Sequence, residues 1–280
     1  MISPDRTILV LGATGRVGRH VVSQLVAAGA PVRAVVRDPK TTSLPAEVEV
    51  VHADLSEPAT LAPHLDGVDS VFLVWPFFGA DGAPAVVERI ARRVRHVVYL
   101  SAETAAGDPE SFYAVLERLI RDSSATWTFL RPTGFAKNTL GWAEQIRADG
   151  VVRQPYGQAA RSLIDERDIA AVAVQALTED GHDGHIYVLT GPGTVTQSEQ
   201  VRLIGAATGR PLRWEELTRS DARPGLVAMF GDESFADGAL DTWEGFVTTP
   251  ERVTTTVAEI TGVPARSFRQ WATDHADEFQ

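Results

Sequence analysis

The chain has 280 residues, 44% of them hydrophobic and 22% charged, which is the composition of a globular protein of one large or two small domains. Asp+Glu 37 against Lys+Arg 26 leaves a formal net charge of −11, which argues against nucleic acid or an anionic membrane surface as the main partner, since either needs a dense cationic footprint. No run approaches the eighteen apolar residues of a spanning helix, and the absence of cysteine removes disulfides, thiolate metal sites and thiol nucleophiles.

Residues 1–6 show no charged-then-apolar leader pattern, so a cytoplasmic location is expected. From there short β-rich runs alternate with helical patterns. Strands are predicted at 7–11, 32–36, 48–52, 70–74, 96–100 and 126–130, and helices at 15–28, 83–94 and 110–121. A further helix is expected after Ser56, which can cap it with Pro58 in the first turn. Such alternation builds a parallel sheet covered on both faces, and right-handed crossovers make it doubly wound. After Arg131-Pro132 helical stretches dominate, with short strands expected near 151–153, 162–164 and 186–189. Thr196-Gln197-Ser198-Glu199 opens a helix that should stop at Gly209. The expected fold is therefore α/β: a Rossmann-like doubly wound parallel sheet with a smaller, mostly helical C-terminal substrate lobe. The division expected is 1–135 for the dinucleotide-binding core and 136–280 for the lobe, with segments of about 151–190 returning to the core.

The sharpest motif is Gly12-Ala13-Thr14-Gly15-Arg16-Val17-Gly18, directly after the first strand and opening a helix. Glycine serves three ends there: a tight turn, close approach of a pyrophosphate to the backbone, and close packing of helix on sheet. The helix N-terminus adds free N–H groups and the positive end of the dipole. The residue ending the second strand selects the dinucleotide. An acid would bind the ribose 2′-hydroxyl of NAD and an arginine the 2′-phosphate of NADP. Arg37 comes first, Arg16 can flank the same phosphate, and Asp38-Pro39 suits the start of a turn. NADP(H) is expected over NAD(H).

With these pieces, the chain resembles the NmrA-like branch of the atypical short-chain dehydrogenase/reductases. The likeness rests on Gly12 to Gly18, Arg37, Ala53-Asp54-Leu55, Tyr99-Leu100-Ser101-Ala102 and Glu117-Arg118-Leu119-Ile120. It continues through Trp127-Thr128-Phe129-Leu130-Arg131-Pro132, Phe135, Asn138, residues 164–170 and Leu189-Thr190-Gly191-Pro192. The resemblance implies that Asp54 and Leu55 hold the adenine, and that Val74, Trp75 and Pro76 line the passage for ribose and pyrophosphate. It implies that Ser101 and Ala102 lie near the nicotinamide ribose, and that Arg131, Pro132 and Phe135 border the nicotinamide.

One element of the wider superfamily is absent. Typical short-chain dehydrogenases pair a tyrosine with a lysine four residues on, the lysine lowering the phenol's pKa. Here Tyr99, Tyr113, Tyr156 and Tyr187 are followed at that distance by Glu103, Glu117, Ala160 and Gly191, and the whole chain has two lysines, Lys40 and Lys137. Tyr113 is a candidate unaided proton donor or a core residue, and Ser101 a second catalytic candidate. Three readings follow. The first is a reductase of an electron-poor C=C, C=N or quinone in a small hydrophobic metabolite. The second is a non-catalytic NADP(H)-binding redox sensor, and the third a redox-neutral isomerase. His182 and His185 do not suffice for a metal site, and none is expected. Trp75-Pro76-Phe77-Phe78-Gly79 reads as an apolar wall or as ordinary core. The oligomeric state is left between monomer and homodimer.

Overall fold

The computed structural model describes residues 6–280, so the N-terminal pattern read at residues 1–5 lies outside the described residues. In chain order the elements are β1 (Thr7–Val10), α1 (Gly18–Ala27), β2 (Val32–Val36), β3 (Glu49–His52), β4 (Val68–Leu73), α2 (Ala83–Ala91), β5 (His96–Leu100), α3 (Phe112–Arg121) and β6 (Thr126–Pro132). They continue as α4 (Ala143–Asp149), β7 (Val151–Gln154), β8 (Ala160–Arg161), α5 (Glu166–Thr178), β9 (His185–Leu189), β10 (Val195–Thr196) and α6 (Gln197–Thr208). The chain closes with β11 (Arg213–Glu216), α7 (Arg219–Phe230), α8 (Glu233–Thr248), α9 (Thr256–Thr261) and α10 (Phe268–Asp274).

The chain divides into two compact units. Of the described residues, the first holds 6–133, 166–189 and 256–263. Its seven-stranded sheet runs β3-β2-β1-β4-β5-β6-β9, parallel at every pairing. The order reverses between β1 and β4. In open α/β sheets ligands bind outside the carboxyl ends of the strands at such a switch point. Burial explains why the strands read as unbroken apolar runs: all five residues of β5 are buried, as are the last four of β4. One side of the sheet shares a core with α2 and α3 that includes Leu73, Trp75, Ile90, Tyr99, Leu116 and Phe129.

The second unit holds residues 134–165, 190–255 and 264–280. Two short ladders lie in it, β8 with β10 antiparallel and β7 with β11 parallel. A core around Trp142, Ile146, Ile204, Phe268 and Trp271 joins α4, α6 and α10. The hairpin α7–α8 has a much smaller core of Leu226, Ala236 and Leu240, and arginines supplement it, with Arg223 bonded to Asp237 at 2.7 and 2.8 Å.

Two local expectations change. The segment after Ser56 is a 3-10 helix, Pro58–His64, because Pro63 inside it removes a backbone donor and prevents α continuation. Ser56 bonds back to Asp54 instead of capping it. The strand expected at 162–164 is β8 at Ala160–Arg161, with Ile164 making a single bridge to Phe135. Helix α6 begins with Thr196 capping the Glu199 amide and ends at Gly209 in left-handed conformation, φ 68°. No helix among the described residues is long and apolar enough to cross a membrane.

Candidate dinucleotide site

The three loop glycines have three different local reasons. Gly12 has φ +69°, a left-handed turn closed by Gly15 N–H donating to the Gly12 carbonyl at 2.9 Å. A Cβ on Gly18 would stand 2.1 Å from the Gly12 carbonyl oxygen, so this glycine lets the first turn of α1 lie against the loop. Gly15 is exposed, and a Cβ there would meet only the Gly12 oxygen at 3.0 Å. Thr14 and Arg16 are exposed beside it, while Val17 is buried and precedes α1 without capping it by a side chain. The N–H groups of Thr14, Val17 and Gly18 donate to no carbonyl or side chain among the described residues. Open backbone donors at a helix N-terminus make an anion cradle of the kind a pyrophosphate fits. The loop lies at the switch point itself, since a Cβ on Gly12 would come 3.1 Å from Cβ of Val74 at the end of β4.

Arg37 is exposed directly after β2 and has no hydrogen-bonding or ion-pair partner among the described residues. Asp38 is turned to local use: its carboxylate accepts from the Lys40 amide at 2.9 Å and caps the short 3-10 turn Pro39–Thr41. After β3, Asp54 is half-buried and Leu55 buried. Asp54 Oδ1 accepts from Ser56 Oγ at 2.7 Å and from Ser56 N–H at 2.8 Å. These bonds hold its carboxyl below the usual range, and the Arg37 charge adds to them. After β4, Val74 is half-buried and Pro76 exposed. Trp75 belongs to the core and donates Nε1–H to the Gly79 carbonyl at 2.8 Å. Phe77 packs edge-on against it, 5.0 Å between centroids, and Phe78 is 84% exposed.

At the ends of β5 and β6 the construction is different. Ser101, just past β5, is 3% exposed, and Glu117 on α3 is 2% exposed. Ser101 Oγ donates to Glu117 Oε1 at 2.6 Å. Arg131 on β6 donates Nε–H to the same oxygen at 2.8 Å and Nη2–H to Oε2 at 2.5 Å. One carboxylate thus ties together the ends of two adjacent strands, a fully compensated buried charge. Glu117 raises the pKa of Arg131 further, chiefly through these hydrogen bonds. Glu117 was legible only as the residue in the slot where a lysine is absent. The signal that could have found its role is an acid on the buried face of a helix, between Leu116 and Ile120, with an arginine ahead of a proline at the next strand's end.

Tyr113, on the first turn of α3, is half-buried against the core with Phe112 at 4.0 Å between centroids, and burial pushes its pKa up. Tyr99 lies wholly inside, its hydroxyl without a partner, and burial pushes its pKa up strongly, with Tyr113 and Glu117 adding to the effect. Ala102 is half-buried and Pro132 buried. Phe135 belongs to the second unit, where it is half-buried and bridges Ile164. His182 Nδ1 stands 2.8 Å from Tyr187 Oη, His185 stacks on the Tyr187 ring, and no cluster of His, Asp and Glu among the described residues could hold a metal.

A family model described as NAD(P)H-binding matches residues 12–180. A (4-alkanoyl-5-oxo-2,5-dihydrofuran-3-yl)methyl phosphate reductase of Streptomyces griseus is 42% identical, over 97% of this chain and 99% of its own length. An NAD(P)H azoreductase of Xenophilus azovorans is 37% identical, over 97% and 99%. Among solved structures, an NADPH-dependent quinone oxidoreductase of Escherichia coli complexed with NADPH superposes with a TM-score of 0.82 at 23% identity, covering 95% of this chain and 99% of that one. The chain has the fold of NmrA, belongs to the NAD(P)H-binding family and is an NAD(P)H-dependent oxidoreductase.

Proposed function

We propose that the protein passes hydride from NADPH, in preference to NADH, to an electron-poor C=C, C=N or quinone of a small hydrophobic metabolite. The carrying observation is the position four residues after Tyr113. It holds Glu117, whose carboxylate is spent on Arg131 and Ser101, so no cation stands there to acidify a phenol. Burial makes Tyr113 a weaker acid still. A simple ketone needs a proton as hydride arrives, and general acid help is typically worth about 10²–10⁴ in rate. A conjugated acceptor delocalises the incoming charge and loses little without it. The relatives' names support this class. In an alkanoyl-oxodihydrofuran the ring double bond is conjugated to two carbonyls, and the other two names specify an azo group and a quinone.

In this reading Gly12, Thr14, Gly15, Arg16, Val17 and Gly18 hold the pyrophosphate, with Val74, Trp75 and Pro76 beside it. Asp54 and Leu55 hold the adenine. Ser101, Ala102, Arg131 and Pro132 serve the nicotinamide end. The preference for NADPH is supported by Arg37, whose guanidinium is open after β2 while Asp38 is engaged as a turn cap. A charged pair with the 2′-phosphate is worth about 1.5–3 kcal/mol, or about 10- to 150-fold in affinity. Arg37→Ala is expected to weaken NADPH by that factor and leave NADH unchanged. Equal losses for both would overturn the preference. Following the reduced-nicotinamide absorbance across a panel of quinones, enones, iminium ions and ketones tests the substrate class. Turnover of ketones at the rate of quinones would overturn it.

A further inference from the structure

We infer that Glu117 is a positioning residue that fixes Ser101 as a hydrogen-bond acceptor toward the nicotinamide riboside half of the dinucleotide. The inference deepens the proposed function, because it rests on the dinucleotide lying across the carboxyl edge of the sheet. A hydroxyl has one hydrogen and two lone pairs. The Ser101 hydrogen goes to Glu117 Oε1 at 2.6 Å, and a carboxylate held by an arginine on both oxygens is acceptor only. No donor among the described residues reaches Ser101 Oγ. Its lone pairs are therefore the valence left over, and they call for a ligand group that donates. Ser101 is not a proton source in this arrangement, since releasing its hydrogen would leave an alkoxide beside the Glu117 carboxylate.

Arg131 repeats the pattern with opposite sign. Its Nε and one Nη2 hydrogen are spent on Glu117, and Nη1 has no hydrogen-bonding partner among the described residues. One carboxylate thus orients an acceptor on β5 and a spare donor on β6. On the nicotinamide riboside half, two groups can donate to Ser101: the carboxamide N–H₂ and the ribose hydroxyls. Both ask for the same acceptor. The adenosine half offers its donors to residues after β2 and β3, far along the strand order from β5 and β6.

The test compares ligands on the full chain. Binding of NADPH, of adenosine 2′,5′-bisphosphate and of the 3-acetylpyridine analogue of NADP is measured for wild type, Ser101→Ala and Glu117→Gln. One lost hydrogen bond corresponds to about 3- to 10-fold in affinity. Ser101→Ala should weaken NADPH by that factor and leave adenosine 2′,5′-bisphosphate within about twofold, a split that a merely structural role would not produce. Ser101→Thr should restore most of the loss. Glu117→Gln, whose amide puts an N–H donor in place of one acceptor oxygen, should reproduce the loss, and the double variant should lose no more than the larger single one, because both act on the same contact. Should Glu117→Gln fail to fold, the Ser101 pair alone decides. If wild type discriminates against the acetylpyridine analogue and Ser101→Ala does not, the donor is the carboxamide. If both treat the analogue alike, the donor is the ribose. Equal weakening of NADPH and adenosine 2′,5′-bisphosphate, or no weakening of either, overturns the inference. A wild type that fails to bind NADPH at all would instead remove the reading on which it rests.

Discussion

The carboxyl edge of the sheet is built in two ways. After β1 the site is backbone: three glycines without Cβ atoms and amides of Thr14, Val17 and Gly18 left open at a helix start. After β5 and β6 it is side chain: a hydroxyl, a carboxylate and a guanidinium drawn from three elements and closed on one another. The first construction depends on what is missing and tolerates little added volume. The second depends on charge compensation and tolerates no unpaired member. Glu117→Ala therefore carries the largest expected effect. It leaves the Arg131 guanidinium in a site only 14% exposed without its counter-charge. Stripping one partner from a buried pair costs about 3–5 kcal/mol. Urea unfolding should show that loss, and Glu117→Ala with Arg131→Met should recover a large part of it. A loss below 1 kcal/mol would mean the pair is solvated and the comparison false.

The opposite end of β5 sharpens the contrast, because there a titratable ring is buried without a full counter-charge. His96 is 1% exposed, with Nδ1 2.8 Å from Thr126 Oγ1 and 3.0 Å from Asp183 Oδ1, and Nε2 3.2 Å from Thr128 Oγ1. Burial lowers its pKa from the usual 6.5 to about 4. Asp183 and Asp69 pull the other way, while Arg95 and His182 add to the lowering. A pKa lower in the folded than in the unfolded chain favours the neutral ring in the fold. The stability it supports is whole above pH 6.5 and is lost as pH falls toward 4, by up to about 3 kcal/mol. His96→Asn should flatten the part of the acid slope between pH 6.5 and 4 that the wild type shows. Parallel slopes for the two proteins would show that the ring takes its proton without cost.

The glycine loop tests the other construction. Gly18→Ala places a Cβ 2.1 Å from one backbone oxygen and 2.7 Å from its carbon, neither of which can rotate away. Overpacking of this kind costs about 1–3 kcal/mol. Gly15→Ala meets a single oxygen at 3.0 Å on an open face, so it should cost less stability while still removing dinucleotide-induced thermal stabilisation. Equal unfolding midpoints for the two variants would refute the division of labour among the glycines. The tight turn and the close packing of helix on sheet were legible in the sequence, because Gly12 to Gly18 are contiguous and the strand and helix flank them within one βαβ unit. The parallel sheet was legible for the same reason: its strands are short apolar runs whose periodicity needs no partner to be seen. The charged network was not, since its members stand 16 and 14 residues apart and meet only through strand order. The helix expected after Ser56 is present at Pro58–His64, but its 3-10 form was not legible, because Pro58 suits any helix start and the second proline, Pro63, opposes the α form.

The smallest expected effect falls on the residue nearest to the superfamily's usual acid. Tyr113 is a phenol on α3, four residues from a glutamate, half-buried beside Phe112, and its pKa lies above the ordinary value because burial penalises the phenolate. Its hydroxyl has no hydrogen-bonding partner among the described residues, so removing it costs no bond within the protein. Tyr113→Phe should change stability by less than about 0.5 kcal/mol. If hydride goes to a conjugated acceptor that needs no protein acid, turnover of a quinone should fall by less than about threefold, well short of the 10² that marks a lost general acid. The pH dependence gives an independent reading. An acting phenol would impose a rate loss in alkali that the phenylalanine variant lacks, whereas a spectator leaves both profiles parallel. A hundredfold loss together with a vanished alkaline limb would make Tyr113 the proton donor. The side-chain half of the edge would then supply a proton as well as position, from a phenol that burial keeps protonated.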